Sequence, residues 1–520
     1  MAARTRAGVF AMTDVVERVI EDGVATPPRA KGSIAVIAVL AAAVLLFAAS
    51  RYGYFGDELY FLAAGRRPGW GYADQGPVLP LIARTMDTLA PGSYLVLRLP
   101  AVALTVLATV LCAELARMFG GGRSAQVLAA AGYASSPFLL LQGAMLTTNT
   151  VDTALWVIIT WLLVCWVRSR RDALLLIAAL ITAIDLQVKW LIPFFWAAVA
   201  VGALIAGPRE VVRRPLLWVG ALIVVISAVP ELLWQSGHGW PQLAMGGEIA
   251  GEQAILGGRL LFIPMSVILC GFLGTPLLLI GIWVLLRRNI FRSYRFLGVA
   301  LLLLYLAFMI TGGRVYYPAG MYAVVIAAGA VGAVTVLGRI PSVWRWSLAT
   351  VLVALGIAAT MLILEATPWR SADRITPPHN DAQAAVQIGV YGQFGWPELD
   401  DAVTRAYDGL TPAGRSHPIL ISDTHWQASA LDQLGRAHLP PIYSPSRGFG
   451  YFATPPDGAT AVLAVGGSEA ALQSQFEHVE PIGRVDTRLG FPGNTQNVTI
   501  WRCTGQRKPW SQVWPRWMHL

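Results

Sequence analysis

Eleven apolar runs dominate this chain, and most are long enough to cross a lipid bilayer. They fall at about 32–50, 94–116, 124–143, 150–167, 172–187, 190–206, 216–234, 260–286, 296–311, 316–337 and 346–364. A helix of roughly 20 apolar residues spans the hydrocarbon core of a membrane. Only 13% of the residues are charged and the mean hydropathy is +0.56, so most of the chain does not face water. In the stretch from the fourth run to the sixth, Asp185 and Lys189 interrupt the apolar sequence, which reads as a tight helical hairpin with this polar pair near its turn.

Charge then orients the runs. With residue 1 in the cytoplasm, the inside segments are 1–32, 117–123, 168–171, 207–215, 287–295 and 338–345. They hold 19 Lys and Arg, against 6 in the outside segments. This is the positive-inside pattern. It predicts an odd number of spans, a cytoplasmic N-terminal tail (1–32), a bundle over 33–364 and an extracytoplasmic remainder. The net charge of +9 is spread in short clusters between apolar runs, so it reads as topological signal and no nucleic-acid partner is expected. No small-residue cleavage site follows a short apolar core near the start, so a cleaved signal peptide is not expected. Cys112, Cys165, Cys270 and Cys503 have no CxxC spacing, and no disulfide framework is indicated.

After Leu364 the composition changes. Pro, Gly, Asp, His and Arg recur throughout 365–520. Pro418–Ser422 and Ala459–Val465 read as strands, with a helix over Trp426–Leu434 between them. The expectation is a polytopic α-helical membrane protein of about eleven transmembrane helices with a C-terminal soluble α/β domain. Asp423, His425 and Trp426 follow the first strand. They either face a site or are ordinary loop residues, and the second reading is preferred.

The first outside loop, 51–93, is long for a connection. It carries Asp57 and Glu58 just beyond the first run, then Tyr60, Trp70, Tyr72, Asp74 and Gln75. Asp57 and Glu58 suit the first turn of a short amphipathic helix. Further polar groups are expected at the same end of the bundle. Asp152 follows Thr147-Thr148-Asn149, Lys189 sits in an apolar stretch, and His238 lies in His-Gly-Trp-Pro. Arg314 precedes Tyr316-Tyr317-Pro318. Singly, the acids read as caps and the cations as snorkelling side chains. Together they place carboxylates and cations on one face of the membrane, where ionisable groups usually line a cavity. Such a cavity suits group transfer from a phosphate-linked donor. A carboxylate takes the proton of an acceptor hydroxyl, and cations hold the leaving phosphate.

These motifs resemble the family 39 glycosyltransferases, the membrane-embedded group containing protein O-mannosyltransferases and the aminoarabinose transferase of lipid A. The matching pieces are Phe-Gly-Asp57-Glu58-Leu-Tyr60-Phe, Trp-Gly-Tyr72-Ala-Asp74-Gln75-Gly-Pro, Thr147-Thr-Asn149-Thr-Val-Asp152, Val-Lys189-Trp, Trp234-Gln-Ser-Gly-His238-Gly-Trp-Pro and Gly-Gly-Arg314-Val-Tyr316-Tyr317-Pro. The resemblance implies a GT-C-like bundle that inverts configuration while moving a sugar from a polyprenyl-phosphate donor. Transfer would occur at the outer face of the cytoplasmic membrane, onto a glycan, glycolipid or protein hydroxyl. It also implies catalytic roles for Asp57, Glu58 and Asp152, and donor-phosphate contacts for Lys189 and Arg314. Tyr60, Trp70, Tyr72, Asp74, Gln75, His238, Tyr316 and Tyr317 are expected around substrate. Gly76 departs from the proline usual in the family, and this relaxes the turn after Asp74 and Gln75. Members differ in their need for a divalent cation, and no spacing here dedicates ligands to one, so no cofactor is assigned. Two other classes fit a polytopic chain with ionisable groups: a lipid-sugar transporter, and an inactive membrane-anchored binding or assembly protein. The lack of internal repeats counts against the first, and the intact acids count against the second.

Overall fold

The computed structural model describes residues 26–255, 257–338, 341–364, 367–410, 418–459 and 461–520. Residues 1–25, which carry Arg4, Arg6 and Arg18 of the expected cytoplasmic tail, lie outside the described residues, as does Arg339.

The chain is a multi-pass bundle of apolar helices carrying a small sheet domain. Among the described residues, six helices are long and apolar enough to cross a membrane: Lys31–Ala49, Tyr94–Met118, Thr148–Ser169, Pro215–Gly237, Asn289–Thr311 and Tyr317–Leu337. A seventh crossing arises if Gly258–Ile268 and Gly271–Arg287 count together, although they are bent by 102°. Ala173–Leu186, Ile192–Ala206 and Thr350–Leu364 are shorter apolar helices. Two expected spans are therefore not single straight helices. The run at 124–143 divides into Arg123–Ala134 and Pro137–Gln142, and the run at 260–286 is the bent pair. The two breaks meet. The Leu269 carbonyl accepts from Ser136 Oγ (2.7 Å) and from the Phe138 N–H (3.3 Å). Each interruption thus satisfies backbone groups that the other leaves open, as apolar surroundings require. Apolar length alone carries no information about such a bend.

The largest core runs through the bundle and includes Trp156, Trp166, Phe195 and Tyr322. The four cysteines are free and buried. A second core joins the first loop to the soluble domain, packing Leu59, Tyr60 and Phe61 with Trp396, Trp426 and Leu463. This continuity fixes the domain against the end of the bundle that carries the first loop.

The soluble domain holds a five-stranded sheet in the order β2-β1-β3-β5-β4. The strands are β1 (Ile419–Ser422), β2 (Ile442–Tyr443), β3 (Val462–Val465), β4 (Phe476–Val485) and β5 (Val498–Gln506). β1 runs parallel to β2 and β3, and β3, β5 and β4 are antiparallel. β1 and β3 are buried throughout, as expected for strands covered on both faces. The predicted strand–helix–strand unit is present, with its helix at His425–Leu434. The β4–β5 pair was not anticipated. β4 is a mostly exposed edge strand with Pro481 at a register shift, so it lacks a continuous apolar pattern.

Candidate active site

The first loop opens with a helix, Gly56–Gly65, and its two acids diverge at once. Glu58 is fully buried. Its Oε1 accepts from Arg98 Nε (2.8 Å) and from the Leu146 N–H (3.0 Å). Its Oε2 accepts from Arg98 Nη2 (2.8 Å) and from the Phe55 N–H (2.9 Å). The last bond is half of a capping box. Arg98 also donates to the carbonyls of Ala49 and Gly53 and to Gln393 Oε1. One buried ion pair therefore ties together the first span, the loop helix, the second span and the soluble domain. Both Glu58 oxygens are taken up by protein donors.

Asp57 points the other way. Its Oδ1 accepts from the indole N–H of Trp426 at 2.8 Å. Among the described residues nothing donates to Oδ2. Burial pushes this carboxyl above its ordinary value, while the Trp426 bond and the charges of Arg447 and Arg314 pull it back down. Trp426 comes from the helix that follows β1, capped by Thr424 and Gln427. It reaches Asp57 because residue 56 is glycine: a Cβ there would lie 2.1 Å from the indole ring. The preferred reading of Trp426 as a loop residue is thus corrected. His425 also faces the site, edge-on to Tyr60 with ring centroids 5.5 Å apart.

Asp74 lies beside this pair. Its Oδ1 accepts from the Tyr60 hydroxyl (2.9 Å). Burial pushes the Asp74 carboxyl up to about 6, against the lowering effect of Arg447 and Tyr60. Gly76 does not relax the turn. Its φ is not positive, and a Cβ there would lie 2.3 Å from the Gln187 carbonyl oxygen. Glycine instead lets the loop seat on the turn before Lys189, where the Val78 N–H donates to the same carbonyl (3.3 Å).

Lys189 donates to Asn149 Oδ1 (2.6 Å) and lies 4.4 Å from the Tyr317 ring centroid and 5.6 Å from that of Tyr316. Burial presses its ammonium below the usual lysine range, opposed by the charge of Asp152. Asp152 is buried near the start of its helix, and its Oδ1 has no hydrogen-bond partner. Asp185, fully buried one turn before Lys189, has none at either oxygen.

Arg314 pairs with Glu252, whose other oxygen accepts from Arg447 at 2.7 Å. Glu252 lies on the helix Pro241–Ile255, within a segment read from sequence only as an outside loop. Arg447 belongs to the soluble domain. It adopts a left-handed φ of 48° and its N–H donates to the His519 carbonyl (2.7 Å). Such a conformation is costly for a side-chain-bearing residue and tends to persist at functional sites.

The remaining candidates divide. The Tyr72 hydroxyl is occupied within its own loop, accepting from the Gly69 N–H (3.1 Å) and lying 3.1 Å from the Arg67 carbonyl. Gln75 is buried with an unpartnered Nε2. Trp70 is 72% exposed, outside the cluster of charges. His238 is exposed at the rim, stacked on Trp234 at 4.0 Å and edge-on to Tyr451. Among the described residues, no three His, Cys, Asp or Glu side chains converge as a metal cluster.

Residues 74–234, about a third of the chain, match the family model for dolichyl-phosphate-mannose-protein mannosyltransferase. No curated protein matches the sequence. Among solved structures, ArnT from Cupriavidus metallidurans in the apo state is similar over 91% of this chain and 98% of its own, at 14% identity and a TM-score of 0.60. ArnT bound to undecaprenyl phosphate matches over the same shares, at 15% identity and a TM-score of 0.54. AglB from Archaeoglobus fulgidus, in complex with an inhibitory peptide and a dolichol-phosphate, is similar over 83% of this chain and 69% of its own, at 13% identity and a TM-score of 0.50. At such identities the likeness is one of fold, and it agrees with the GT-C-like architecture and the resemblance read from the motifs.

Proposed function

We propose that the chain is an inverting glycosyltransferase that takes a sugar from a polyprenyl-phosphate donor at the outer face of the cytoplasmic membrane. One observation carries this reading most. Asp57, held by Trp426 with one oxygen unengaged, lies within the field of Arg447 and Arg314 at the mouth of an apolar bundle. Carboxylate and cations from distant segments converge where a lipid-borne phosphate and an aqueous acceptor would meet. The solved relative with undecaprenyl phosphate bound supports this donor class.

In the proposed step an acceptor hydroxyl oxygen attacks the anomeric carbon while Asp57 takes its proton. The bond from that carbon to the phosphate oxygen breaks, and polyprenyl phosphate leaves with the electron pair. Arg314, Arg447 and Lys189 offset the charge gathering on the phosphate. Asp152 and Asn149 position Lys189. Glu58 and Arg98 have no free donor or acceptor for substrate, and their role is to fix the helix that presents Asp57. The charge pattern supports this orientation, since the site and the soluble domain share one end of the bundle and the arginine-rich segments join the helices at the other.

The test is turnover of a polyprenyl-phosphate sugar, read as release of polyprenyl phosphate. Asp57→Asn should lower it by about 10²–10⁴-fold, the usual worth of general-base help. Near wild-type turnover in folded Asp57→Asn protein would sink the assignment. Movement of intact sugar-lipid without bond cleavage would point to a transporter.

A further inference from the structure

A cleft of about 390 Å³ opens between the first loop and the soluble domain, apart from the cations assigned to the donor phosphate. Its walls include Arg67, Asp432, Arg436, Tyr443, Phe449 and Phe452. Phe452 is a shared wall. It stacks on Tyr60, with ring centroids 6.0 Å apart, and lies edge-on to Tyr72. One aromatic layer therefore separates the cleft from the Tyr60–Asp74 pair.

The cleft carries an excess of positive charge. Asp432 is held below its ordinary value: burial alone would raise it, but the bonds and charges of Arg67 and Arg66 outweigh burial. Arg66 and Arg67 both reach this single carboxylate at 2.8 Å. Arg436 is exposed and makes no ion pair among the described residues. Two arginines on one acid, with a third unpaired, leave a net excess of two positive charges. Arg67 is also held over two aromatic rings, 5.2 Å from the Phe452 centroid and 5.5 Å from that of Phe449. It is thereby fixed in place at the wall. Concave sites of this size that combine aromatic faces with a few placed polar groups are typical of small-ligand pockets.

We infer that this cleft is a subsite for an anionic saccharide unit of the acceptor, one bearing a carboxylate or phosphate. The aromatic walls offer apolar faces to the C–H surface of a pyranose ring. Arg436 and Arg67 offer planar donors to its anionic group. The position, across one ring from the carboxylates, suits a sugar next to the one whose hydroxyl reacts. This assignment rests on the glycosyltransferase reading, but binding tests it without turnover.

The experiment is calorimetric titration of the full chain in detergent with trigalacturonic acid, maltotriose and inorganic phosphate. Trigalacturonic acid is expected to bind at least tenfold more tightly than maltotriose. Arg436→Gln and Tyr443→Ala should each weaken it at least fivefold, and Arg436→Lys should restore most of the loss. Asp57→Asn should bind it like the wild type. Equal affinity for maltotriose, or indifference to both Arg436→Gln and Tyr443→Ala, overturns the subsite. Phosphate binding as tightly as trigalacturonic acid overturns the saccharide assignment and leaves an adventitious ion only. Binding as expected with no turnover of any sugar-lipid overturns the enzymatic reading and leaves the saccharide site standing.

Discussion

The indole N–H of Trp426 donates to Asp57 Oδ1 across 2.8 Å, joining residues 369 positions apart. The bond favours the ionised carboxylate, the form that a general base must hold before it acts.

The pH profile should carry this signature. Burial raises the Asp57 carboxyl, whereas Trp426 and Arg447 lower it. Because the base works ionised, kcat/KM should rise with pH along an acid limb above the ordinary range near about 4. Trp426→Phe removes a lowering influence, so its limb should move to higher pH. Arg447→Gln should move it the same way. Both shifts are read from log kcat/KM against pH, and a limb that stays fixed in both variants would separate Asp57 from the titrating base.

Glu58→Gln should be a stability variant before it is a kinetic one. The Glu58–Arg98 pair is almost completely buried, with side chains 0% and 1% exposed. Removing one partner of a buried pair leaves the other uncompensated and costs about 3–5 kcal/mol. Thermal unfolding in detergent should show a marked loss for Glu58→Gln and for Arg98→Ala. The double variant should lose much less than their sum, because both remove one interaction.

Gly56→Ala should displace Trp426, since the new methyl meets the indole ring. Overpacking of this kind costs about 1–3 kcal/mol. Gly56→Ala/Trp426→Ala should recover the melting temperature of Trp426→Ala alone but not the turnover. A Gly56→Ala protein with wild-type turnover would show that the indole contact is dispensable.

Arg314→Gln should separate phosphate binding from proton transfer. Loss of one charge-assisted contact, worth about 1.5–3 kcal/mol, should raise the inhibition constant of added polyprenyl phosphate by at least tenfold. Asp57→Asn should change that constant little while lowering turnover by about 10²–10⁴-fold. Equal effects of the two substitutions on product inhibition would argue against the division of roles.

Much of this arrangement was legible because membranes constrain sequence strongly. The apolar runs mark the helices, and the acids beyond the first run mark the end of the bundle where the candidate site lies. The soluble domain's first strand, helix and third strand are short and strongly patterned. The illegible parts depend on pairings that no local window contains. Arg98 lies inside an apolar span, and only its partner 40 positions earlier explains it. Glu252 sits on a weakly apolar helix that resembles a loop in composition. Trp426 and Arg447 belong to a different domain from the acids that they serve. Conversely, the motif grouped Glu58 with Asp57 among the catalytic residues, because adjacency in the chain says nothing about the opposite directions their side chains take.

The strained backbone at Arg447 has a consequence for the order of biosynthesis. Residue 447 is held by residue 519, so a growing chain that has already inserted all of its helices still has no finished site. The carboxylate of Asp57 is made early, but the indole and guanidinium that tune it arrive only after the following segment has been made and folded back. On the proposed function, a half-made molecule in the membrane is expected to be silent toward polyprenyl-phosphate sugars. Truncation within the last hundred residues should yield a well-inserted bundle that leaves those lipids untouched.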